Sequence, residues 1–277
     1  MKYSNYSLFS SDHAHKGLEY AIKHTLDLGF DAVEHIENVL TDGAKLSNAN
    51  DTANMKKLLS DSGLTVSCYS LLVDLLSEGK SAIIDRAYRH IEYAAELGSP
   101  FVHHTLVPGY DLAKKVLSYD EALKRISDDA EKLAKRCNEY GIICLYEPQG
   151  LYFNGVAGVR GILEEMKKRG CKVGICGDTG NSIFVDCPPF DIYENFADDI
   201  KHIHVKDYYW GKSIAPAKYS STSGKTIAEA PLGEGDSEIS KCLKYLPEYD
   251  AAMSFEFLAD DAEMKRSIAW VKEITNK

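Results

Sequence analysis

Residues 118–147, SYDEALKRISDDAEKLAKRCNEYGIICLYE, contain the unit that recurs along the whole chain. Apolar residues at helical spacing predict a helix over 118–140. Gly141 follows, and glycine readily adopts the left-handed conformation that ends a helix. The short apolar run 142–147 then predicts a buried strand whose last residue is Glu147. A helix followed at once by a buried strand is typical of a parallel α/β fold.

The same alternation extends to both ends of the chain, and glycine precedes several of the other apolar runs as well. The predicted strands are 2–9, 31–36, 64–69, 100–105, 142–147, 172–178, 200–205 and 251–257. The predicted helices are 15–28, 49–62, 80–97, 118–140, 157–169, 189–197, 236–246 and 261–275. Eight such units in 277 residues predict one (β/α)8 barrel domain over residues 1–277. An open doubly wound sheet fits less well, because no Gly-x-Gly-x-x-Gly turn follows the first strand.

One connection is unusually long. Between the seventh strand and its helix lie residues 206–235, which are rich in glycine, serine, lysine and aromatic residues. A connection of this length in a compact domain is usually functional, and in a barrel it lies on the catalytic face. We therefore expect 206–235 to cover the active-site mouth.

The composition is that of a soluble globular protein: 44% of residues are hydrophobic, 27% are charged, and the formal net charge is -10. An acidic surface disfavours nucleic-acid binding. The seven cysteines form no Cys-x-x-Cys pair, which favours buried thiols over a disulfide framework. With neither a signal-peptide pattern at the start nor a membrane-spanning apolar stretch, the sequence favours a cytoplasmic protein with no membrane partner.

Four successive late strands carry a polar residue at or near their C-terminal end, namely Glu147, Asp178, His204 and Glu256. A charge is costly in an apolar strand unless it is paired or bound to a metal. A barrel would bring all four to one mouth. Two glutamates, one aspartate and one histidine suit a single divalent ion, Mn, Mg, Co or Zn. His202 shares a face with His204 and is the alternative ligand, but His204 lies nearer the mouth.

At these residues the chain resembles the sugar phosphate isomerase/epimerase superfamily of xylose isomerase-like TIM barrels, the AP endonuclease family 2. The resemblance covers nearly the whole chain. It is carried by Tyr146-Glu147-Pro148, Asp178-Thr179-Gly180-Asn181, His202-Ile203-His204-Val205-Lys206-Asp207, Pro231-Leu232-Gly233-Glu234-Gly235-Asp236 and Ser254-Phe255-Glu256. It implies that the four strand-end residues bind the metal. It also implies that Glu147 and Glu256 act as acid and base on a ketose, keto-sugar or inosose, through an enediolate.

Six further residues are expected to contact a sugar or polyol substrate: Glu34, His104, Asn181, Lys206, Asp207 and Trp210. Asn181 stands where the superfamily often has histidine, which disfavours a multi-zinc centre. Trp210 stands where related epimerases have arginine, so a substrate-clamping cation would have to come from Lys206 or Lys212. His104 is chosen over His103 as the residue that faces the lumen.

Two alternatives to an isomerase or epimerase remain. The same metal and ligands would serve a dehydratase or lyase acting on a keto-polyol or keto-sugar. A phosphodiesterase resembling endonuclease IV is disfavoured by the net charge of -10 and by Asn181. The resemblance also allows a homo-oligomer.

Overall fold

The computed structural model describes residues 1–6, 11–211, 218–246 and 249–275. In chain order the strands are β1 (Lys2–Asn5), β2 (Ala32–Ile36), β3 (Thr65–Leu71), β4 (Phe101–His104), β5 (Ile143–Tyr146), β6 (Val173–Asp178), β7 (Ile200–Val205), β8 (Asp207–Trp210), β9 (Tyr219–Ser220), β10 (Thr226–Ala230) and β11 (Ala252–Phe255). Eight of them form a closed parallel barrel in the order β1-β11-β7-β6-β5-β4-β3-β2. The predicted TIM barrel is confirmed.

Helices surround the barrel, one after each barrel strand. They are α1 (Leu18–Leu28), α2 (Ala49–Ser62), α3 (Lys80–Leu97), α4 (Tyr119–Glu139), α5 (Gly155–Lys168), α6 (Pro189–Phe196), α7 (Ile239–Tyr245) and α8 (Asp261–Thr275). Helix α4 begins with a capping box, in which Ser118 and Glu121 each bond the other's backbone N–H. The predicted helix boundaries agree within three residues. Residues 7–9 of the first predicted strand lie outside the described residues.

Alternation along the strands divides the side chains between two layers. One set packs outward against the helices and forms the main core. The other set fills the barrel, where Cys68, Leu145 and Cys176 form a small apolar layer with Phe101 and Ile143 packed against it. Histidines and carboxylates, rather than further apolar residues, fill the rest of the lumen towards the C-terminal ends of the strands. The polar part of the interior is therefore where the predicted ligands lie.

The long connection after β7 contains structure that the sequence analysis did not predict. Strands β8, β10 and β9 form an antiparallel sheet in that order. Its apolar side packs on the turn after β6, with Ile183, Phe184 and Ile227 buried together. The sequence predicted no strands in this connection, because its short strands lack a clean alternating pattern.

No helix in the described ranges is long and apolar enough to span a membrane.

Candidate metal centre and substrate cleft

Four carboxylate and imidazole side chains from four adjacent barrel strands converge at the mouth. Glu147, Asp178, His204 and Glu256 each offer one ligand atom, and these atoms lie within 4.8 Å of one another. His204 Nδ1 is 2.8 Å from Glu147 Oε1 and 3.1 Å from Glu256 Oε2. The predicted four-residue cluster therefore forms, with His204 rather than His202 as its nitrogen donor.

Local backbone geometry fixes one of these carboxylates. Asp178 ends β6, and its Oδ1 accepts hydrogen bonds from the backbone N–H groups of Gly180 (2.7 Å) and Asn181 (2.5 Å). A carboxylate held by two backbone donors keeps one orientation. Its second oxygen, Oδ2, is left to face the cluster.

The cluster has an excess of buried negative charge. Burial, with Glu147 and Glu256 nearby, raises the pKa of Asp178 to about 8 despite the adjacent Lys206. Burial alone would also raise the pKa of Glu147, but His204 and His103 hold it well below its usual range. Four carboxylates, including Glu34 beneath the cluster, share one lysine and the neighbouring histidines. A divalent cation would relieve this imbalance, so the donor set fits a metal ion.

Lys206 is the cation of this site. Its Nζ lies 2.5 Å from Glu256 Oε2 and 3.0 Å from Asp178 Oδ2. Burial would lower the pKa of this ammonium, but these two carboxylates raise it well above its usual value. Lys206 is therefore charged and placed beside two of the four predicted ligands, and its expected contact with substrate stays a prediction.

Glu34 occupies a different place from the one expected. It is wholly buried inside the barrel, and its carboxylate faces His202 Nε2 at 2.7 Å and His204 Nε2 at 3.0 Å. Ser70 Oγ donates a further hydrogen bond to it. The predicted contact with a substrate hydroxyl is wrong, because protein groups already occupy both carboxylate oxygens. Sequence shows that a residue lies near a strand end but not how deep its side chain reaches.

The choice between the two neighbouring histidines on β4 was also wrong. His103 points into the lumen, where its Nε2 lies 3.3 Å from Glu147 Oε2 and its ring lies edge-on to His204. His104 points outward, bonds the carbonyl of Thr105, and packs edge-on against Tyr146. It therefore belongs to the layer between strands and helices.

Asp207 anchors a turn at the edge of the site. Its two oxygens accept hydrogen bonds from the backbone N–H groups of Tyr208, Gly233, Gly235 and Ser237. Asp207 also lines the cleft beside Lys206, so its expected contact with substrate stays a prediction, although its oxygens already accept four backbone hydrogen bonds.

Trp210 and Asn181, the two residues that depart from the superfamily pattern, have different surroundings. Trp210 packs against the apolar cluster under the small sheet, with Lys225 Nζ 4.3 Å above its ring. Trp210 is not part of the four-residue cluster, and its packing on this apolar cluster and on Lys225 explains its position without a substrate. Asn181 is buried beside Asp178, and its Nδ2 has no hydrogen-bond partner among the described residues. Its predicted role as a donor to substrate remains open. Lys212 lies outside the described residues.

A cleft of about 330 Å³ leads to the cluster, and Lys206 and Glu256 line it. Its walls come from the small sheet and from the segment after β11, including Tyr208, Pro231 and Phe257. The Glu256 side chain is 18% exposed, whereas that of Glu147 is 1% exposed. Glu256 is thus the member of the cluster that faces solvent, and the cleft is large enough for a small polyol.

Two tyrosines near the cluster were missed by the sequence analysis. Tyr6 directly follows β1, and its ring lies edge-on to His204 at 5.0 Å. Tyr110 stacks on Phe184 at 3.9 Å, and its buried hydroxyl has no partner among the described residues. Tyr6 fell inside an overlong predicted strand, and Tyr110 lies in a connection without a pattern, so neither gave a signal.

Comparison with known proteins supports the fold. Residues 22–274 match the family described as xylose isomerase-like TIM barrel. No curated protein matches the chain.

Among solved structures, the probable 3-DHS dehydratase AsbF of Bacillus anthracis, involved in petrobactin synthesis, has a TM-score of 0.76 at 15% identity, covering 98% of this chain and 99% of that one. IolI protein with a binding zinc atom has a TM-score of 0.75 at 14% identity, covering 99% and 98%. D-psicose 3-epimerase with D-tagatose, from Clostridium cellulolyticum H10, has a TM-score of 0.74 at 12% identity, covering all of both chains. At these identities the likeness shows the fold alone.

Proposed function

The chain belongs to the xylose isomerase-like TIM barrel family, and from that premise we propose that it is a divalent-metal-dependent isomerase or epimerase of a ketose, keto-sugar or inosose. One observation carries the proposal: Glu147, Asp178, His204 and Glu256 place ligand atoms within 4.8 Å of one another beside a polyol-sized cleft. The solved structures of similar fold include an epimerase and a zinc-binding protein, which is consistent with this chemistry.

These four residues would hold Mn, Mg, Co or Zn. The metal would supply Lewis-acid polarisation of substrate oxygens, which acidifies the carbon between them. Glu147 and Glu256 follow β5 and β11, which are separated by two strands around the barrel. In this proposal Glu147 removes a proton from one face of that carbon and Glu256 returns one to the other.

The remaining polar groups at the mouth would bind and orient the substrate. Lys206 would hydrogen-bond a substrate oxygen beside Glu256, and Asn181 Nδ2 would donate to a hydroxyl. Tyr6 and Tyr208 would pack against the carbon faces of the sugar and limit the access of water to the reacting carbon. None of these residues needs to change its charge during turnover.

Dehydration is the second candidate, because the Lys206 ammonium lies 2.5 Å from Glu256 and could donate the proton that a departing hydroxyl needs. This reaction would use the same metal ligands. The Bacillus anthracis structure of similar fold is named as a probable dehydratase, so this candidate stays in the test.

The test is a screen of ketoses and inososes with the manganese-loaded protein in D2O, read by mass spectrometry and by sugar chromatography. An isomerase or epimerase gives a product of unchanged composition that carries one solvent deuterium on carbon. A product lighter by one water would replace the proposal with the dehydratase. Failure of every ketose and inosose to exchange or react would contradict both.

A further inference from the structure

Glu34 lies at the centre of a hydrogen-bond network beneath the proposed metal site. Its carboxylate lies 2.7 Å from His202 Nε2, and 3.0 and 3.1 Å from His204 Nε2. Ser70 Oγ donates to the same carboxylate. All four side chains are buried, so water does not compete for these bonds. A carboxylate can only accept, which fixes the direction of each bond.

The first consequence concerns His204. Because Glu34 is an acceptor, His204 must carry its proton on Nε2. A neutral imidazole then has its lone pair on Nδ1, and Nδ1 is the atom that lies 2.8 Å from Glu147 and 3.1 Å from Glu256. Glu34 thus selects the tautomer in which His204 presents a ligand atom to the cluster. It also prevents the ring from flipping.

The second consequence concerns Glu147. Ser70 Oγ has one hydrogen, which it gives to Glu34, so it can only accept from His103 Nδ1 at 3.0 Å. This bond fixes the plane of the His103 ring, whose Nε2 lies 3.3 Å from Glu147 Oε2. The orientation of His103 beside Glu147 therefore also depends on Glu34, through Ser70.

We propose that Glu34 is the positioning residue of this site, which orients His204 directly and His103 through Ser70 so that His204 Nδ1 and Glu147 are both available to a divalent metal. The inference rests on the proposed metal site and assigns Glu34 a role other than substrate contact. Partners of this kind behind a metal-binding histidine typically change metal affinity by about 10- to 100-fold when they are removed.

The test compares zinc affinity in the full-length wild-type protein and in Glu34→Gln, by competition with a chromophoric chelator. Glutamine has the same shape but offers an N–H₂ group where one of the donors Ser70, His202 or His204 must bond. We expect the zinc dissociation constant to rise by about 10- to 100-fold, with an unchanged far-UV circular dichroism spectrum. An unchanged dissociation constant would overturn the inference.

Glu37→Gln is the matched control. Glu37 is also buried near the end of β2, but it pairs with Arg86 of α3 and accepts from the backbone N–H of Leu72. Its nearest histidine is His90, so its replacement removes one buried carboxylate from the same region without touching His103, His202 or His204. The zinc dissociation constant of this variant should stay within about twofold of the wild-type value, and an equal loss in both variants would mean that Glu34 acts only on stability.

A second measurement needs no variant to fold. In zinc-loaded wild-type protein labelled with 15N-histidine, His204 should show a metal-bound Nδ1 and a slowly exchanging proton on Nε2. Zinc bound at Nε2 would overturn the inference even if Glu34→Gln cannot be purified. Absence of zinc binding by the wild-type protein would instead refute the proposed function, so the two failures are distinguishable.

Discussion

At the scale of single residues, the site shows how burial assigns different tasks to chemically similar groups. Glu34, Glu147 and Glu256 all lie in the upper part of the barrel, yet their exposure rises in that order, from 0% through 1% to 18% for the side chains. The deepest glutamate is saturated by protein donors, whereas the shallowest faces the cleft. Depth therefore separates the carboxylate proposed to position the site from the one that faces the cleft.

Glu147→Gln and Glu256→Gln test the acid and base roles. Each substitution keeps the shape of the side chain but removes its ability to carry a proton, so turnover at saturating metal should fall by about 10²- to 10⁴-fold. Steady-state kinetics on the substrate found in the screen measures this. Glu165→Gln is the control, because Glu165 lies on α5 and pairs with Arg169, the residue directly after that helix. Near-normal turnover in both site variants would exclude these roles.

Which strand-end residues would converge could be predicted from sequence, because a parallel barrel brings the C-terminal ends of its strands to one mouth. Which of two neighbours faces the lumen could not. Strand β4 has only four residues, and Val102-His103-His104 has no polar alternation that would reveal its parity. Glu34 was misjudged for another reason: a register shift between Val33 and Glu34 changes its alignment with β3, and sequence gives no sign of it.

At the scale of elements, the connection after β7 is the least regular and the most informative. Strand β8 continues directly from Lys206, so the small sheet is joined to the residue that lies between two predicted ligands. Asp207 then ties this sheet to the turn that precedes α7 through the backbone N–H groups of Gly233, Gly235 and Ser237. One carboxylate thus supplies three of the hydrogen bonds that join a wall of the cleft to this turn, beside those of Ser237 and Asp236 with β8.

Asp207→Asn tests this anchoring. An amide offers one acceptor oxygen in place of two, so two or more of the four backbone donors lose their partner. The free energy of unfolding should therefore fall by about 1–3 kcal/mol. Limited proteolysis should show faster cleavage within 219–235, while the metal content stays at the wild-type level. A variant with normal protease resistance and only a raised KM for substrate would instead support the substrate contact that the sequence predicted for Asp207.

The small sheet itself could not be predicted from sequence. In β8 the residues Tyr208, Tyr209 and Trp210 are all partly buried, so no alternating pattern marks the strand. The eight barrel strands, in contrast, are mostly buried on both sides and are followed by amphipathic helices, which makes them recognisable as short apolar runs. The sequence therefore predicted the barrel strands, which have two buried faces, but not the small sheet of β8, β9 and β10.

At the scale of the whole molecule, the barrel concentrates negative charge where the strands end. The chain carries a net charge of -10, and several of its carboxylates are buried at the C-terminal mouth of the barrel. Like charges at such a distance repel strongly in a poorly solvated interior. The fold tolerates this arrangement through Lys206 and the histidines, but a divalent cation would offset it more completely, which links the stability of the mouth to metal binding.

The central claim is that the four converging side chains hold a divalent metal. The most direct measurement is elemental analysis of the untagged protein, after incubation with excess manganese and gel filtration, beside Asp178→Asn and the control Asp129→Asn on α4. We predict about one metal ion per chain in the wild-type protein and in Asp129→Asn, and little in Asp178→Asn. No bound metal in the wild-type protein, or equal metal in all three, would contradict the account.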